Sequence, residues 1–542
     1  MTKTRTVLAL SALAWLAGCM DLKEVPVTGV SSDFLATTSG ANAAVVGVYS
    51  RLNNFYGQET EILMTELGTD SWQTGDQSQG NGFWWNDYSS ALNSSITDPL
   101  LNRWQNFYQA INAANTAIVA INGSSLDAAT KTIRLAELRF LRAKYYEDLV
   151  RLWGAVEIDT LPTVGVVTTA TRSPVADVFA KVIIPDLQFA VANLPLKQAD
   201  VYRATKGAAQ TLLAEVYLTR AAPGDFDLAR DLTSAVISSG VYKLNANYRS
   251  LFCGPSLLNG ACDYLAAQKS DPELIFSVQY LGDGAVDVFG SQLHLEYTMN
   301  YDNSAFASPG LARTAAYGRP FRRASPNKHL LGVWNRNTDS RYLSTFQVLW
   351  RQPNGDTAIF FPGTPTAAKT GVQGKRWGES EDSLNLYPTM MKWLDQTRDG
   401  PNQIAGHRDR PLWRFGEVYL LRAEANVRGG HASDAIADIN VLRVRAAVPG
   451  QDNTMSATEL AAFGTDPLGF VLDERERELA GEEFRWFTLA RQGTAVFLAR
   501  IKANNPFAVV NVKDFHILRP IPQGQIDRTD GGNTSFAQNP GY

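Results

Sequence analysis

The chain is poor in the residues that build redox, metal and nucleic-acid sites. Of its 542 residues three are cysteine (Cys19, Cys253, Cys262) and five are histidine. His294, His329, His407, His431 and His516 are scattered without metal-ligand spacing, so no metal site is expected. Positive charge is not in excess either: 50 basic residues face 54 acidic ones, for a formal net charge of -4. The longest charged run, Asp473-Glu474-Arg475-Glu476-Arg477-Glu478, alternates in sign. A clustered basic face for phosphate backbones is therefore missing, which argues against a nucleic-acid partner. There is no P-loop, no Gly-x-Ser-x-Gly, no His-Glu-x-x-His and no dinucleotide fingerprint after a strand. The chain thus reads as a protein that is not an enzyme and takes no cofactor. A carboxylate pair for glycoside hydrolysis is a spatial property that sequence does not reveal. Asp395-x3-Asp399-Gly400 lacks the spacing of a calcium loop and reads as a turn.

The one sustained apolar run is at the start. Lys3 and Arg5 precede a stretch from Val7 to Ala17 that ends in Leu16-Ala17-Gly18-Cys19. It is about half the ~20 residues needed to cross the hydrocarbon layer, so residues 1–18 read as a signal peptide and not a membrane span. Leu-Ala-Gly-Cys matches the bacterial lipobox and makes Cys19 the lipidation site. Two or more acyl chains, at ~0.8 kcal/mol per buried CH₂, anchor a protein durably. Residues 19–31, short, polar and proline-containing, suit a tether. Cys253 and Cys262 bracket a Gly-, Pro- and Asn-bearing stretch that permits a sharp reversal, and a disulfide between them is expected in an oxidising compartment.

Beyond the tether the pattern is helical. Phe34 to Asn54, Pro99 to Ile121 and Asp127 to Trp153 carry apolar residues at spacings of three and four, as in Leu135, Leu138, Leu141, Tyr145 and Leu149. Further helices are predicted over Val175–Leu194, Lys206–Ala221, Asp225–Ser238, Leu412–Val427, Ser433–Ala447, Pro467–Arg491 and Gly493–Lys502. Within them Glu137-x4-Arg142-Ala143, Glu215-x4-Arg220-Ala221 and Glu417-x4-Arg422-Ala423 share one spacing. Glu215-Val-Tyr-Leu218 recurs as Glu417-Val-Tyr-Leu420, each before a turn and an alanine-bearing second helix. That echo predicts a mainly α fold, a scaffold of tetratricopeptide-like helix pairs. It is expected to divide into an N-terminal helical part (32–240), a long loop-rich insert with few short strands (241–411), and a C-terminal helical part (412–542), folded as one unit. The insert is rich in Gly, Pro, Asn and aromatics, and is expected to pack as a cap.

The C-terminal third carries the most specific signals. The run Val471-Leu-Asp-Glu-Arg-Glu-Arg-Glu-Leu-Ala-Gly-Glu-Glu-Phe-Arg-Trp-Phe-Thr-Leu-Ala-Arg491 resembles the signature helix of SusD/RagB proteins. The ending Arg519-Pro-Ile-Pro-Gln-Gly-Gln-Ile-Asp527 with Gln538-Asn-Pro-Gly-Tyr542, and the start Ala43-Ala-Val-Val-Gly-Val-Tyr-Ser50, are similar to that family too. The resemblance implies a lipid-anchored outer-membrane receptor, exposed at the cell surface, that hands a glycan or a peptide to a SusC-like TonB-dependent transporter. It also implies ligand contacts in the segment holding Asp70, Trp72 and Trp84. The composition points the same way: flat rings suit the apolar face of a pyranose while amides and carboxylates take its hydroxyls. On that ground Trp84, Trp85 and Tyr88 form a binding platform or pack beneath a loop, and Trp334 joins the ligand-binding set. Trp350, Trp377 and Trp393 are read as core. In the signature helix an apolar stripe shares its face with charge, which predicts ion pairing along the helix, as between Asp473 and Arg477.

Overall fold

The computed structural model describes residues 32–75, 83–252, 271–280, 290–303, 311–351, 357–361 and 385–542. The expected lipidation site Cys19, the Cys253–Cys262 pair and Trp377 lie outside the described residues. The longer helices are α1 (Thr38–Ser50), α2 (Glu59–Thr65), α3 (Asn102–Gly123), α4 (Ala128–Trp153), α5 (Ile184–Asn193), α6 (Lys206–Arg220) and α7 (Asp225–Ser238). After the central insert come α8 (Phe415–Arg428), α9 (Ala432–Arg445), α10 (Ala457–Thr465), α11 (Pro467–Leu479), α12 (Arg485–Ala490) and α13 (Thr494–Asn504). Their ends follow local chemistry. Asp127 caps α4 by accepting from Thr130 N, Thr205 caps α6 by accepting from Ala208 N, and Ser456 with Glu459 forms a capping box on α10.

The fold is mainly helical, and the helices pack as antiparallel neighbours: α3 with α4, α6 with α7, α8 with α9, with α5 bridging α4 and α6 and α7 lying on α8. The repeated Glu-x4-Arg motif has a physical meaning here. Each arginine reaches the helix that follows its own. Arg142 of α4 grips Asp186 of α5 (2.8 and 3.0 Å), Arg220 of α6 pairs with Asp225 of α7 (2.5 Å), and Arg422 of α8 pairs with Asp438 of α9 (2.5 Å). Each glutamate turns instead to a different part of the fold: Glu137 to Arg203, Glu215 to Arg151 and Arg491, Glu417 to Arg475. One motif therefore ties a helix to the next one and to its surroundings.

Two predicted helices and one predicted ion pair need correction. The one expected over Leu412–Val427 starts at Phe415, because Arg410–Arg414 is a strand, β8, paired antiparallel with β2 (Leu274–Val278). The one expected over Pro467–Arg491 breaks into α11 and α12 at Gly481, whose φ of +66° favours glycine and where a Cβ would strike Met390. Asp473 does not pair with Arg477; it binds Arg500 (2.5 Å), while Arg477 binds Glu474 (2.9 Å). Helices α2 and α10 were not predicted.

The remaining strands are short and pair in twos: β1 (Trp72–Thr74) with β3 (Ala324–Pro326), β4 (Phe346–Gln347) with β7 (Thr389–Met390), and β5 (Leu349–Arg351) with β6 (Thr357–Phe360). The β1–β3 pair joins the N-terminal part to the insert, with Trp72 opposite Pro326. The C-terminal segment straps onto α4: Arg519 N donates to Leu152 O (2.7 Å), Trp153 Nε1 to Pro520 O (3.1 Å), and Asn539 Nδ2 to the carbonyls of Trp153 and Arg519. Among the described residues no helix is long and apolar enough to cross a membrane.

Candidate ligand-binding site

The segment expected to present ligand contacts is mostly interior. Asp70 is fully buried, and both of its oxygens are held by Arg485 (2.8 Å each), with Arg500 adding a third bond (2.7 Å). Burial opposes ionisation of this carboxyl, but Arg485 and Arg500 outweigh it and hold the group well below the usual range. Trp72 is buried against Tyr297, with ring centroids 4.8 Å apart. Trp85 is buried with the Arg519 guanidinium 4.9 Å from its ring, and that guanidinium lies 4.2 Å from Trp486 on another side. Tyr88, also buried, adopts a left-handed backbone (φ 54°) and donates its hydroxyl to Gly68 O (3.0 Å). Trp334 is buried among Tyr342 and Phe346 and donates to Arg477 O (3.2 Å).

The structure thus places Asp70, Trp72, Trp85, Tyr88 and Trp334 in the interior, and for Trp85 and Tyr88 this is the packed alternative. The physical reasons differ: the insert covers Trp72 through the β1–β3 pair and Tyr297, the C-terminal segment covers Trp85 and Tyr88 through Arg519 and His516, and Trp334 packs within the insert itself. Trp350 and Trp393 are core, as expected.

Of the named set, Trp84 keeps exposure. It is partly buried at the start of a short helix (Phe83–Asp87), beside Phe83, a residue 37% exposed. The indole N–H of Trp84 meets no acceptor among the described residues. This Phe83–Trp84 edge follows directly on residues 76–82, which lie outside the described ones. A second concavity, of about 180 Å³, lies between the end of α1, the loop at residues 200–203 and the end of β2. Sequence reasoning did not find it, although a tyrosine between acidic and basic neighbours in Asp200-Val-Tyr-Arg203 was a visible sign. A third feature is an uncharged surface ribbon from Thr160 to Thr171, in which Leu161, Val164, Val166 and Val167 are all exposed.

No group of three His, Cys, Asp or Glu side chains among the described residues could hold a metal ion. Asp395 accepts from Thr397 N, Thr397 Oγ1 and His407 N, which makes it a turn-former. Burial pushes the imidazole of His294 down to about 3 and that of His516 down to about 4, so both are neutral at physiological pH.

A model of the SusD family matches residues 335–542, and a second model, described as starch-binding associating with outer membrane, matches residues 36–218. The chain belongs to the SusD family. A SusD-like protein P2 of Formosa agariphila is 26% identical to it over 554 aligned positions, covering 98% of each chain. The starch-binding protein SusD of Bacteroides thetaiotaomicron is 26% identical, covering 75% of this chain and 72% of that one. Among solved structures, a laminarin-binding SusD-like protein superposes with a TM-score of 0.68 at 21% identity, covering 93% of this chain and 100% of the other. This member of the SusD family therefore shares the family's helical scaffold from its first described helices to its last.

Proposed function

We propose that this SusD-family protein is a lipid-anchored, cell-surface glycan-binding protein of the outer membrane that captures oligosaccharides and passes them, uncut, to a SusC-like TonB-dependent transporter. The observation that carries this reading is the match over 75% of the chain to a relative named for starch binding, beside a likeness over 93% of it to a solved structure named for laminarin binding. The lipobox at Cys19 supports the anchoring.

The Phe83–Trp84 edge supplies the aromatic surface that a sugar ring needs. The valine ribbon supplies the apolar, uncharged surface expected of a protein contact. It is held at one end by Asn115, which donates to Asp159 O and Leu161 O, and at the other by Asp530, whose N–H donates to Thr168 O. Calorimetric titration with starch and laminarin oligosaccharides tests the assignment. Trp84→Ala is expected to keep its fold and lose affinity by about tenfold or more, the ~1.4 kcal/mol within reach of one stacked ring. Unchanged affinity removes Trp84 from the site.

A further inference from the structure

The concavity at the end of α1 has walls that are already fixed. Val46, Tyr49 and Ser50 come from α1, Leu52 and Asn53 from the turn after it, Asp200, Tyr202 and Arg203 from a loop, and Ser277 to Gln279 from the end of β2. Tyr49 Oη accepts from Ala204 N (2.9 Å), Arg203 is pinned by Glu137 (2.7 Å), and Asn53 Nδ2 donates to Gln279 O (2.8 Å). A ligand entering here meets little loop ordering, the cost that most often weakens small sites.

The chemistry of the lining is mixed in a particular way. Tyr49, Tyr202, Val46, Leu52 and Val278 make it predominantly apolar, and two polar groups remain available at its edge. The Asp200 side chain is 54% exposed, with one oxygen accepting from Tyr202 N and the other 3.7 Å from Arg203. The side-chain amide of Gln279 makes no hydrogen bond with any described residue. An anion is disfavoured, because Arg203 is already neutralised by Glu137 and Asp200 stands at the mouth. A metal ion is disfavoured by a lining with one carboxylate. A neutral ring with one apolar face and a rim of hydroxyls satisfies both halves of the lining. The volume of about 180 Å³ is below the ~300–1,000 Å³ of sites for drug-sized ligands, which limits the occupant to one ring.

We infer that the groove between α1, the 200–203 loop and the end of β2 is a preformed subsite for a single hexopyranose ring. It shares no lining residue with the Phe83–Trp84 edge. The inference deepens the proposed glycan capture and rests on it. Its test is saturation-transfer NMR on the full chain with methyl α- and β-glucopyranoside, galactopyranoside and mannopyranoside. Transfer to the ring protons of at least one glycoside is expected, lost in Tyr202→Ala and reduced several-fold in Gln279→Ala, with both variants keeping the wild-type melting temperature. Lack of transfer to every glycoside, or transfer that survives both substitutions, overturns the subsite. If starch or laminarin oligosaccharides still bind in that case, the subsite alone has failed; if neither oligosaccharide nor glycoside binds, the reading beneath it has failed too.

Discussion

Asp70 shows how a polar residue beside tryptophans becomes structural. Its two arginine partners lie more than 400 positions away, at Arg485 and Arg500, so nothing local in Thr69-Asp-Ser-Trp72 announces them. A buried pair contributes modestly as a pair, yet removing one partner strands the other in a poorly solvating interior, at about 3–5 kcal/mol. Asp70→Asn is therefore expected to lower the unfolding free energy by about that amount in urea titration; a loss under ~1 kcal/mol would contradict the role assigned to it. Glu66 is a different case. Its Oε2 is buried without a partner, and burial, aided by Glu476 and Glu483, raises the carboxyl well above its ordinary range. A group whose folded pKa is raised gives its full stabilisation below the unfolded value of ~4.3 and loses it as pH rises through the folded one. Glu66→Gln, which keeps the neutral form, is expected to flatten the decline of stability between pH 5 and 8. Parallel curves for the two proteins would exclude this.

At the scale of elements, α11 is the junction of the fold. Glu474, Arg475, Glu476 and Glu478 are all buried on it. Glu478 receives Arg414 (2.5 Å), Arg341 (3.0 Å) and Arg445, three cations from β8, the insert and α9. Burial raises this carboxyl, but Arg445, Arg414 and Arg341 prevail and hold it below its ordinary range. Glu474 gathers Arg341, Arg443 and Arg477, and Arg475 pairs with Glu417 and Glu483. Alternating charge that reads as an intrahelical ladder is a hub radiating to four other segments. Glu478→Ala is expected to loosen the insert before the helix pairs, seen as early protease cleavage within residues 311–351; cleavage spread evenly along the chain would argue against the hub.

The same contrast explains what the sequence disclosed. Helical periodicity, caps and the repeated Glu-x4-Arg spacing act within a few turns, so α3, α4, α6, α7 and α9 stand close to where they were expected. The exposure of Trp72, Trp85, Tyr88 and Trp334 is decided by which distant segment lies over them, and Leu412-Trp413 became strand because β2 was there to pair with it. The Phe83–Trp84 edge was legible as composition; the groove at Tyr49 and Tyr202 arises from three segments far apart in the chain.

At the scale of the whole molecule, the account is of a tethered helical body that holds sugar. Cys19→Ala is expected to move the protein from the membrane fraction to the soluble one, and a variant that stays with membranes would refute the anchor. The most direct measurement adds starch and laminarin oligosaccharides to the purified protein, follows binding by calorimetry, and then analyses the recovered sugar by chromatography. Saturable heat with at least one glycan and chains of unchanged length are expected. Shortened products, or no heat with any of them, would contradict it.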